Sequence, residues 1–178
     1  MSTFPKLVGA FAACVCCFAT GAAETESLDA NLEPLRPLLG KTWRGEFKNS
    51  KPEKPMFDVA RWERALNGKA VRTLHSVNDG VYGGESIIRW DKDSQQLVYH
   101  YFTTAGFMTT GTMKIEGNRV IGLEKVSGTN GVTQVRSTTE LRTDGTLLSK
   151  AEYFKDGKAA GGREVLYKED PKAEVKFK

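Results

Sequence analysis

The chain has 178 residues, of which 27% are charged and 39% hydrophobic, with a formal net charge of +4. That length fits one domain and one core, and the small basic excess is scattered, so a nucleic-acid partner has no electrostatic footing. All three cysteines, Cys14, Cys16 and Cys17, lie near the start, so a chain shortened past them has no disulfide and depends on core packing alone.

Lys6 is followed by an uncharged run from Leu7 to Ala23, which ends in the small residues Gly21, Ala22 and Ala23 before Glu24. This is the pattern of a secretory signal peptide over residues 1–23, with Gly21 and Ala23 at the small positions before the cut. A retained membrane anchor is the competing reading, but the run falls short of the about 20 apolar residues a span needs and acidic residues follow it. Phe11-Ala12-Ala13-Cys14 lacks the branched aliphatic residue of a lipoprotein signal. The expected mature protein is therefore residues 24–178, secreted or periplasmic, with no further segment apolar enough to cross a bilayer.

From Leu28 the apolar positions Leu28, Leu32, Leu35 and Leu39 recur at helical spacing, with Ser27 or Asp29 available to cap the first turn. Pro34 and Pro37 keep this helix short, and Gly40 supplies the residue that reverses the backbone at its end. The period then changes to two, with Trp43, Gly45 and Phe47 on one face and Arg44 and Glu46 on the other.

Beyond the polar loop Lys48 to Pro55, turn signals such as Asn67-Gly68, Asn130-Gly131, Asp144-Gly145 and Asp156-Gly157 recur about every twelve residues. They delimit strands at 42–48, 56–66, 69–77, 82–90, 96–104, 107–115, 119–126, 133–142, 146–155 and 163–168. Ten strands joined by tight turns predict an all-β fold, a single antiparallel up-and-down β-barrel with the short N-terminal helix closing one end. Closure removes the two edges that an open meander would expose. A two-sheet sandwich is the alternative, because local pattern does not say which strands pair. A barrel of this size has room for a ligand in its lumen. Gly83, Gly84, Gly111 and Gly122 sit where a barrel wall bends or a backbone approaches closely, and they equally fit a plain structural need.

Two stretches carry a family likeness. Pro34 to Glu46, with LLGKTWRGE inside it, resembles the opening of the nitrobindin-like and lipocalin-like barrels of the calycin group. Ile87-Ile88-Arg89-Trp90-Asp91, Leu97 to Gly106 and Gly111-Thr112 are similar to a bacterial family of calycin-type domains of unknown function. The likeness implies a barrel with a cavity and no established activity. Nitrobindins hold haem through a histidine near the chain end, whereas no histidine follows His100 here, so the likeness implies no cofactor.

The candidate ligand-binding residues are Trp43, Arg72, His75, His100 and Arg136. His75 alternates with Val71, Thr73 and Val77, and His100 with Val98 and Phe102; each reads as a hydrogen-bonded wall residue or as a ligand group. Arg72 and Arg136 lie mid-strand, facing either solvent or an anionic head group inside the lumen. No Ser-His-Asp arrangement or zinc-binding pair stands out, and the acids fall mainly at turns. The reading is an exported binding protein for a small hydrophobic or amphiphilic ligand. An enzyme with unrecognised acid–base groups, or a packed interaction module, are the alternatives.

Overall fold

The computed structural model describes residues 27–129 and 131–178; the expected signal peptide, residues 1–23, lies outside them. The strands are β1 (Thr42–Phe47), β2 (Phe57–Ala65), β3 (Ala70–Val77), β4 (Tyr82–Asp91), β5 (Gln96–Thr103), β6 (Met108–Glu116), β7 (Arg119–Thr129), β8 (Val132–Leu141), β9 (Leu147–Lys155) and β10 (Lys158–Glu169). Each pairs antiparallel with the next, and β1 pairs with β10, which closes the barrel. Closure decides against the sandwich.

Registry across the seam is continuous. Trp43 stands opposite Ala60 on one side and Glu169 on the other. One strand begins earlier than its pattern predicts, because β10 starts at Lys158 rather than Arg163. Asp156 and Gly157 both adopt positive φ (49° and 75°), the conformation that lets a two-residue turn continue straight into a paired strand. The glycines that read as loop are a register irregularity between Ala159 and Gly162.

The N-terminal plug is a 3-10 turn, Glu33–Leu38, rather than an α-helix. Pro34 and Pro37 remove amides that an α-helix would use, and a three-residue repeat brings Leu32, Leu35 and Leu38 into one line. All three are buried, and they pack with Trp43, Trp62, Val71, Ile88, Leu97 and Leu147 to seal one end. The expected cap is absent from the turn itself; the Asp29 side chain instead accepts from the Asn31 amide at 3.1 Å. Gly40 reverses the chain with φ 73°, as its place in the sequence predicts.

The C-terminal residues cross the outside of the wall. The Lys176 amide donates to Ser76 Oγ at 3.0 Å, and its ammonium reaches Asp79 Oδ1 at 3.1 Å. Ser76 is buried as a result, although it faces outward on β3.

Candidate functional site

Above the leucine plug the barrel is hollow. A cavity of about 490 Å³ runs from Trp62, Met113 and Leu147 at its floor to Tyr82, Phe107, Tyr153 and Arg163 near the other end. Alternation places its walls: every second residue of a strand points inward, so Asp58, Ala60 and Trp62 of β2 share the lumen with Thr73 and His75 of β3. Two opposite walls differ in character. Tyr82, Tyr99 and Tyr101 make β4 and β5 aromatic, while Ser137, Thr139, Ser149 and Ala151 make β8 and β9 small and hydroxyl-bearing.

The large rings fit because the neighbouring strands lack side chains where they lie. A Cβ on Gly111 would stand 2.5 Å from Cε1 and Cζ of Tyr99, and one on Gly84 2.6 Å from Cε2 of Tyr101. These two glycines are spaces cut for tyrosines.

A chain of hydrogen bonds crosses β2, β3, β5, β4 and β10. His75 Nδ1 lies 3.1 Å from Asp58 Oδ1, and its Nε2 lies 2.7 Å from the Tyr101 hydroxyl. The Tyr167 hydroxyl donates to Asp58 Oδ2 at 2.5 Å, and the Tyr82 and Tyr101 hydroxyls are 3.0 Å apart. With Nδ1–H donating to Asp58, Nε2 accepts from Tyr101, whose oxygen then accepts from Tyr82. In that tautomer the protons of the chain point toward Asp58, which is buried to 1% exposure. A second carboxylate, Glu124, accepts from Thr109 Oγ1 at 2.6 Å and from the Tyr99 hydroxyl at 3.3 Å.

Burial pushes the phenols of Tyr99, Tyr101 and Tyr167 well above the ordinary tyrosine range. The carboxylates add to this, Glu124 beside Tyr99 and Asp58 beside Tyr167. Desolvation by the surrounding protein opposes the charge of Arg163, but its side chain stays accessible and the Asp58 carboxylate nearby favours the cation. The guanidinium remains protonated.

The five candidates from the sequence fall in three places. His75 lines the lumen, and Trp43 is fully buried in the plug beneath it. Arg72 is on the outer face of β3, 3.5 Å from Glu85 Oε2 and 3.9 Å from Glu63 Oε2. His100 and Arg136 also alternate outward, His100 opposite Thr110 and Arg136 opposite Glu152. The lumen instead holds Asp58, Glu124 and Arg163, three charged groups that sequence reasoning passed over. Asp58 and Glu124 lie within strands rather than at turns. A signal for Arg163 existed: it alternates with the apolar Val165 and Tyr167 on the only inward-facing parity β10 can have.

No family model matches the chain, and no curated protein matches it. Among solved structures it is similar to the crystal structure of Rv2717c from M. tuberculosis, with a TM-score of 0.58 and 14% sequence identity, over 81% of this chain and 99% of that one. At that identity the likeness is one of fold: a closed antiparallel β-barrel of ten strands is what this chain is.

Proposed function

We propose that the protein is an exported, calycin-type carrier that holds a small, largely apolar or amphiphilic molecule in its barrel. The observation that carries this reading is the lumen cavity of about 490 Å³ behind a sealed end. Ligand sites typically run from about 300 to 1,000 Å³ and combine apolar walls with a few polar groups, as this one does. Export to the secreted or periplasmic space rests on the N-terminal pattern of residues 1–23.

Displacement of an environment-sensitive apolar fluorophore tests the carrier. The native protein should bind the probe, and Ser137→Trp, which fills the lumen from the small-residue wall, should not. A probe that binds both equally is sitting on the surface, and the reading is lost.

The chain Asp58–His75–Tyr101–Tyr82 favours a second reading, acid–base chemistry on the bound molecule, because it links a lumen hydroxyl to a buried carboxylate through an imidazole. Mass spectrometry of the molecule recovered from the native protein, compared with that recovered from His75→Gln, separates the two. A carrier returns the same compound from both.

A further inference from the structure

We propose that the rim of the barrel at the end away from the plug is a docking surface for an anionic lipid bilayer. This goes beyond the carrier reading and does not depend on what the lumen holds.

Strand direction sorts the connections between the two ends. The turns after β2, β4, β6 and β8 share the plug's end, and the connections after β1, β3, β5, β7 and β9 make the opposite rim. In one sector of that rim four exposed apolar side chains gather. Val81, 75% exposed, tips the β3–β4 connection, and Phe177 of the C-terminal segment lies over Gly83 just beyond it. The Gly83 carbonyl accepts from the Thr104 amide at 2.9 Å, and two residues earlier on β5 Phe102 faces outward opposite Met108 of β6. Phe102, Met108 and Phe177 are each nearly half exposed. Apolar side chains left side by side in water mark an interaction surface.

Charge identifies the partner. Lys178 lies beside Gly80 in the same sector, and Lys51 and Lys54 stand on the next connection, where the Pro55 carbonyl accepts from Asn78 Nδ2 at 3.2 Å. Lys155 and Lys158 flank the β9–β10 turn on the same rim. All five lysines are exposed, and among the described residues none forms an ion pair. The acids of this rim are fewer, Glu53, Asp79 and Asp156, and Asp79 is held by Lys176. At the plug end charges pair with one another instead: Arg36 with Glu33, Lys41 with Glu169, Lys69 with Asp29 and Lys114 with Glu116. Unbalanced positive charge beside an apolar patch suits a headgroup layer, where apolar side chains enter the acyl boundary and ammonium groups meet lipid phosphates. A protein partner fits less well, since lysine is depleted where proteins meet and these five free bases are all lysines.

Sedimentation with vesicles of mixed phosphatidylcholine and phosphatidylglycerol, and with phosphatidylcholine alone, tests the surface on the protein freed of residues 1–23, which keeps the barrel and its plug entire. The mixed vesicles should bind it more tightly than the neutral ones, and less so as salt is raised. Lys51→Gln, Lys54→Gln and Lys178→Gln together should weaken that binding by about a hundredfold, at about fivefold for each lysine near the surface. Lys92→Gln, Arg119→Gln and Arg142→Gln, the same loss of charge at the plug end, should change it by less than about twofold. Val81→Ser with Met108→Ser should weaken it by about tenfold. Orientation has its own readout: Met108→Trp should add an emission that moves to the blue on mixed vesicles, and Leu66→Trp, at the plug end, one that does not. Equal binding to both kinds of vesicle, equal weakening by the two charge-removing sets, or a blue shift from Leu66→Trp alone overturns the proposal. So does absence of binding to either vesicle, which leaves the rim to a protein partner. None of these results bears on the carrier reading, which displacement of the fluorophore decides.

Discussion

Raising the pH above the ordinary tyrosine range perturbs the lumen without altering a residue. All five tyrosines of the chain line the cavity, and burial drives the phenols of Tyr99, Tyr101 and Tyr167 upward in the folded state. A group whose folded pKa exceeds its unfolded one contributes stability that is complete below the unfolded value, near 10 for tyrosine, and is lost as the pH climbs toward the folded value. In that window each of these phenols costs ~1.4 kcal/mol per pH unit, so the three together lower stability by roughly 4 kcal/mol per unit. Against a total of about 5–15 kcal/mol, the barrel should open roughly one to four units above pH 10. Urea unfolding at a series of alkaline pH values measures the slope, and the tyrosinate absorbance band reports ionisation. Absorbance from these three residues should appear together with loss of the near-ultraviolet circular dichroism, and Tyr101→Phe should flatten the slope by about a third. Stability unchanged from pH 10 to 11, or tyrosinate forming at all five positions in a folded protein, would refute the burial argument.

Asp58→Leu should cost about 2–5 kcal/mol in urea unfolding, since it orphans the Tyr167 hydroxyl and the His75 N–H together, whereas Asp58→Asn keeps an acceptor and should cost less. Gly111→Ala should destabilise by about 1–3 kcal/mol, because the new methyl meets both the Tyr99 ring and the Leu123 carbonyl oxygen at 2.5 Å; Gly111→Ala combined with Tyr99→Leu should recover part of that loss. Arg136→Leu, on the outer wall, should leave probe binding unchanged and shift stability by less than about 1 kcal/mol, measured by displacement and thermal melting.

Much of this barrel is written locally. The turn dipeptides, the period of two and the leucine repeat before Trp43 are short-range signals, because backbone reversal and side-chain alternation depend on neighbours only a few residues apart. They were enough to delimit ten strands and to predict a plug, and alternation already grouped His75 with Val71 and Thr73. The β10 start escaped because Gly161 and Gly162 read as loop until their partner strand was known.

The site was a different matter. Asp58 meets His75 from 17 residues away, Tyr101 from 26 beyond that histidine, and Tyr167 meets Asp58 across 109. No local pattern encodes such meetings. The first two follow from the pairing of consecutive strands β2 to β5 and the third from closure of β1 on β10, and the way the paired sheet curls decides which parity of each strand faces inward. That same curl turned Arg72, His100 and Arg136 outward and brought Arg163 in. Composition, strand spacing and the plug belong to the sequence read by itself; which side chains share the hollow belongs to the closed sheet, because facing is a property of the ring of strands and of no single strand within it.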